Sequence, residues 1–152
     1  MQGQSAGARL GAVAYTTPDD PWFAGPELHD GISTAVDAFI GFYHPYDGTM
    51  QYAGQYFGGE DDLRDRGNSL RRAAAARGPA LFLTGSRDWN LITTQQESFA
   101  RALRARGRSA RSVVIEGGGH GFDEGDGVHL SRLGEQAAGE TLRFLRDTFP
   151  AN

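Results

Sequence analysis

Gly3-Gln4-Ser5-Ala6-Gly7 decides how the rest of this 152-residue chain is read. The pattern is G-x-S-x-G, in which a strand turns sharply into a helix and holds a serine at the tip. A turn this tight predicts that a Cβ at either flanking glycine would collide with the neighbouring backbone. The Ser5 hydroxyl is then left exposed in front of a helix N-terminus. The amide of Ala6 points where an oxyanion would form. In a chain with 22 glycines the motif is a weak signal by itself, so its meaning rests on the segments that follow.

Residues 5–15 are small and predict a helix that can pack close to a sheet. Thr17-Pro18-Asp19-Asp20-Pro21 breaks it, and residues 18–31 read as loop. Residues 36–43 are a mostly apolar run ending at His44-Pro45, expected to be a buried parallel strand. Residues 46–67 read as an irregular segment rich in aromatics and glycine, and 70–76 as a short helix. A second apolar strand is expected over 79–84, closed by Gly85. Thr94-Gln95-Gln96-Glu97 has the capping-box form and predicts the start of a helix there. Phe99 and Leu103 share a face of that helix, and Gly107 ends it. A third strand over 111–115 leads into a loop, Gly117-Gly118-Gly119-His120-Gly121. From Ser131, the apolar residues Leu133, Ala137, Leu142, Leu145 and Phe149 recur at helical spacing. The alternation of helix and strand argues for an α/β fold, a parallel sheet with flanking helices. No repeat or linker divides the chain, so residues 1–152 read as part of one domain.

Composition excludes several classes. Net charge is -4, with no basic run, which argues against nucleic acid as a partner. There is no cysteine, which removes disulfides, thiolate nucleophiles and Cys-type zinc sites. Residues 1–20 lack the pattern of a signal peptide, and no stretch has the length of a membrane span. The expectation is a cytoplasmic protein with no membrane partner. His120, Asp123, Asp126 and His129 lie in a polar loop without recognised metal-ligand spacing, so no metal is expected.

In open α/β sheets, functional groups collect beyond the carboxyl ends of the strands. Three residues fit that rule: Ser5 at the first turn, Asp88 after the second apolar strand, and His120 after the third. A serine hydroxyl is a poor nucleophile until a neutral imidazole takes its proton. The imidazole in turn needs a carboxylate to fix its tautomer and stabilise the imidazolium. Glycines around His120 would let its loop reach the Ser5 turn. His129 is a rival base, read as a capping or surface residue. Tyr43 and His44 follow the first apolar strand and are expected to line a substrate pocket. The tyrosines at 43, 46, 52 and 56 read equally as an aromatic acceptor surface for a sugar or phenolic ester and as ordinary core.

With these pieces in order, the chain resembles the α/β-hydrolase fold serine esterases and lipases, among them the prolyl-oligopeptidase-like and feruloyl or acetyl esterase-like branches. The matching segments are Gly-Gln-Ser-Ala-Gly with its small-residue helix, the strand and Gly-x-x-Asp at 79–88, and Gly-His-Gly-Phe at 119–122. The resemblance implies Ser5 as nucleophile, His120 as general base and acid, Asp88 as its orienting carboxylate and the Ala6 amide as oxyanion donor. It also implies a small-molecule ester substrate, an acyl-enzyme intermediate and no cofactor.

In that family the serine turn lies near the middle of the domain. Here Met1 and Gln2 precede Gly3, so the chain reads as the C-terminal portion of a single α/β-hydrolase domain lacking the N-terminal strands. The strand entering the turn and the loop carrying a second oxyanion donor are expected to be missing. One lost donor costs ~2.7–4 kcal/mol of barrier. Two other readings therefore stay open: an inactive half-domain, with a homo-oligomer covering its exposed sheet edge, and a non-enzymatic binding module using residues 43–57.

Overall fold

The protein is described by a computed structural model covering residues 1–23, 31–47, 65–126 and 129–150. Strand β1 is Gln2–Gln4 and runs directly into helix α1, Ala6–Thr16. Strands β2, β3 and β4 are Phe39–Phe42, Ala80–Gly85 and Ala110–Ile115. Helix α2, Asn90–Arg104, follows β3, and helix α3, Arg132–Thr148, follows β4. The strands pair in parallel in the order β1-β2-β3-β4. This is the α/β architecture that the alternation of segments implies.

The two-residue period of the strands separates two cores. Phe39, Ala80 and Phe82 face α1 and α2, where they meet Ala12, Tyr15, Phe99 and Leu103. Ile40, Phe42, Leu81 and Leu83 face α3, where they meet Ala137 and Phe144. The sheet is thus sandwiched between α1 and α2 on one face and α3 on the other. Small residues explain how close α1 comes: Ala8 and Ala12 are fully buried, and a Cβ on Gly11 would lie 2.9 Å from the Phe39 ring. The first core is aromatic, with Phe82 ring centroids 5.2 Å from Tyr46 and 5.1 Å from Phe99. Tyr46 is therefore a core residue and presents no acceptor surface. Tyr52 and Tyr56 lie outside the described residues, as does most of segment 46–67.

Several local expectations are corrected. The strand entering the serine turn is present: Gln2, Gly3 and Gln4 pair with Ile40, Gly41 and Phe42. The first apolar strand is shorter than 36–43, because regular pairing holds only over Phe39–Phe42. Segment 70–76 forms turns and a 3-10 helix, Ala73–Ala75. Helix α2 begins at Asn90, one turn before the capping-box sequence. The Thr94 hydroxyl therefore donates back to the Asn90 carbonyl at 2.9 Å inside the helix. The helix ends at Arg104, and Gly107 (φ +73°) turns the chain beyond it. Ser131 caps α3 as its position suggests, accepting from the Gly134 amide at 2.9 Å. On α3, Leu133, Ala137 and Leu145 pack toward the core as expected and Phe144 joins them, whereas Leu142 is exposed, as is Phe149 just past the helix end.

Candidate active site

Ser5 sits between β1 and α1 with φ 47° and ψ -121°, a conformation rarely adopted by a side-chain-bearing residue. Its amide donates to the Phe42 carbonyl at 3.1 Å, tying the turn to the end of β2. The two flanking glycines are not equivalent. A Cβ on Gly3 would lie 2.4 Å from the Gly7 carbonyl oxygen, whereas a Cβ on Gly7 would meet nothing within 4 Å. The steric demand expected at both positions exists only at Gly3. Ala6 is the first residue of α1, so its amide has no acceptor inside the helix.

Asp88 lies in the turn between β3 and α2. Its amide donates to the Gly85 carbonyl at 3.1 Å, and its Oδ1 accepts from the Trp89 amide at 2.8 Å. The carboxylate is nearly inaccessible, with 1% of its side chain exposed. This turn is joined to the His120 loop at several points. The Arg87 amide donates to the Gly118 carbonyl at 2.7 Å, and the Gly117 amide donates to the Ser86 hydroxyl at 2.8 Å. Gly85 and Gly118 lack side chains where their backbones meet, and a Cβ on Gly85 would stand 2.1 Å from the Gly118 oxygen.

These contacts bring the three sequence-predicted groups into one line. Ser5 Oγ is 3.1 Å from His120 Nε2, and His120 Nδ1 is 3.2 Å from Asp88 Oδ2. The His120 side chain is 45% exposed, so the line opens to solvent on one side. Its ring stacks against Trp89 at 6.1 Å and meets the Tyr43 ring edge-on at 4.8 Å. Such an arrangement can move a proton from a hydroxyl to an imidazole whose far nitrogen faces a buried carboxylate.

Tyr43 and His44, expected to line a pocket, are both buried. Tyr43 reaches the site through its ring contact with His120, while its hydroxyl donates to Asp123 Oδ1 at 2.8 Å. His44 packs beside Tyr46, and burial lowers its pKa to about 3, with Arg9 and His120 adding to the shift. His129 is exposed and pairs with Asp126 away from this line. Sequence reasoning missed Trp89, Gln4 and the structural use of Asp123. Trp89 was marked only by its place beside Asp88, and Gln4 by its place beside Ser5.

No protein-family model matches the chain. In sequence it is similar to esterase LipC of Mycobacterium tuberculosis, with 34% identity over 144 residues that span 84% of this chain and 36% of the relative. In structure it is similar to esterase 2 of the planctomycete Thermogutta terrifontis with propionate bound. That likeness has a TM-score of 0.75 at 24% identity and covers 99% of this chain and 57% of the other. The same esterase phosphoramylated by tabun gives a TM-score of 0.77 at 22% identity, over 97% of this chain and 54% of the other. A bifunctional GH43-CE protein of Bacteroides eggerthii gives 0.73 at 20% identity, over 97% of this chain and 21% of the other. The chain thus spans little more than a third of the curated relative's length and just over half of the esterase 2 structures. The parallel sheet and these likenesses give the chain an α/β-hydrolase type of fold, over part of the length of the esterases it is similar to.

Proposed function

We propose that Ser5, His120 and Asp88 hydrolyse carboxylic esters through an acyl-enzyme. The observation that carries this reading is the continuous line from Ser5 Oγ through the His120 ring to the buried Asp88 carboxylate. Ser5 Oγ attacks the ester carbonyl while His120 Nε2 takes the hydroxyl proton. The Ala6 amide donates to the oxyanion of the tetrahedral intermediate. His120 then gives its proton to the leaving alkoxide, releasing the alcohol and leaving Ser5 acylated. Water attacks the acyl group, again losing a proton to His120. Collapse of the second intermediate returns that proton to Ser5 Oγ and frees the acid. Asp88 holds the imidazole tautomer and stabilises the imidazolium in both halves. The strained backbone at Ser5 supports the reading, because strain of that kind collects where a side chain must be presented.

The substrate class is a small carboxylic ester, as the esterase relatives suggest. The test is intact mass after exposure to a fluorophosphonate, with Ser5→Ala and His120→Ala as controls. One adduct on the wild-type chain, absent from both variants, is the expected result. A folded chain that takes no adduct overturns the reading that these 152 residues act alone.

A further inference from the structure

We propose that Asp123 is a positioning residue, whose carboxylate holds the serine turn and the His120 ring in register through Gln4 and Tyr43. The inference rests on the reading of Ser5, His120 and Asp88 as the reacting line.

Asp123 touches neither Ser5 nor His120 by hydrogen bond among the described contacts, yet both neighbours of that pair converge on it. Oδ1 accepts from the Tyr43 hydroxyl at 2.8 Å, and Oδ2 accepts from Gln4 Nε2. Gln4 directly precedes the nucleophile on β1. The Tyr43 ring packs edge-on against the His120 ring, 4.8 Å between centroids. One carboxylate thus connects the β1 end, the β2 end and the loop carrying His120.

The connection has rigid supports. Asp123 and Tyr43 are 8% and 3% exposed. The preceding carbonyl, that of Phe122, accepts from Ser131 Oγ at 2.6 Å, which fixes the loop to the start of α3. A Cβ on Gly134 would lie 2.7 Å from the Asp123 carbonyl oxygen, so α3 presses directly on this backbone. Tyr43 itself has φ 37°, a strained conformation held by the hydrogen bond its amide donates to the Leu83 carbonyl at 2.7 Å and by the Asp123 contact. Burial and the Asp123 carboxylate push the Tyr43 phenol up, so it stays a protonated donor. Without the carboxylate, Tyr43 loses a restraint on its strain, and the half-exposed His120 ring loses a fixed wall.

The test uses Asp123→Ala, Asp123→Asn and Tyr43→Phe. For each, the fluorophosphonate labelling rate of Ser5, kcat and KM on a short-chain p-nitrophenyl ester, the thermal midpoint and the 15N imidazole spectrum of His120 are measured. In Asp123→Ala, labelling and kcat should fall about a hundredfold with KM little changed, as for other small misplacements of reacting groups. His120 resonances should shift or broaden. Asn keeps an acceptor for Tyr43 and can face a flipped Gln4 amide, so Asp123→Asn should recover most of the rate. A folded Asp123→Ala protein with a lowered midpoint, an unchanged labelling rate and an unchanged His120 spectrum overturns the proposal. Should Asp123→Ala not fold, Tyr43→Phe decides in the same way. If the wild-type chain takes no label, the reading that these residues act alone fails, while the His120 spectra of these variants still decide whether Asp123 positions that ring.

Discussion

Gly85 and Gly118 meet backbone to backbone, and their contact sets the distance between the Asp88 turn and the His120 loop. A methyl group on Gly85 has nowhere to go, because its neighbour is a carbonyl and not a flexible side chain. Gly85→Ala should destabilise the protein by about 1–3 kcal/mol, the usual range for overpacking. Gly119→Ala is the control, since a Cβ there meets nothing within 4 Å. Chemical denaturation of the two variants checks the contrast.

The two glycines of the serine motif should respond in opposite directions. Gly3→Ala drives a methyl into the Gly7 backbone and should disrupt the turn. Gly7→Ala occupies open space in the first turn of α1 and should be neutral or stabilising, by up to about 1 kcal/mol. Unfolding free energies and fluorophosphonate labelling of both variants read the outcome.

Asp88→Asn separates charge from local structure. Asn can still accept from the Trp89 amide and cap the turn, so the thermal midpoint should change little. The tautomer and charge that His120 needs are lost. On the proposed mechanism kcat should fall by about 10⁴, as the same change does in a Ser-His-Asp triad. A variant with near wild-type turnover would remove Asp88 from the mechanism.

His44 gives the fold an acid-sensitive point. Its folded pKa of about 3 lies below the ordinary histidine value of 6.5, because burial disfavours the imidazolium. The unfolded chain therefore binds the proton first. The neutral His44 contribution is complete above about pH 6.5 and is lost as pH falls through the window down to about 3. Between pH 6.5 and 5 the loss should be about 2 kcal/mol. Urea unfolding of wild type and His44→Leu at several pH values checks it, with a flatter profile expected in the variant.

Much of the arrangement was legible because it follows from local chemistry. The helix and strand alternation, the small-residue face of α1 and the chain order of Ser5, Asp88 and His120 all stand in the sequence. What could not be read depends on partners distant along the chain. The Gly3 and Gly7 positions look identical in the motif, but only Gly3 faces a backbone atom across the turn. Thr94 has the residues of a helix start, yet the turn fixed by the Asp88 carboxylate begins α2 earlier. Asp123 is one acidic residue in a polar loop until folding brings Gln4 and Tyr43 to it, 119 and 80 positions away.

The proposed nucleophile and the residues that would activate it are held by strands of unequal protection. Ser5 follows β1, described over three largely exposed residues, whereas Asp88 and His120 follow the better buried six-residue strands β3 and β4. Fluctuations that detach β1 can therefore part the nucleophile from an imidazole–carboxylate pair that stays assembled. Amide hydrogen exchange would register this as early loss of protection at Ser5, whose amide donates to the Phe42 carbonyl, while Leu81 to Thr84 remain protected. Reactivity toward the fluorophosphonate would then decline at temperatures well below the midpoint of global unfolding, and cooling would restore it.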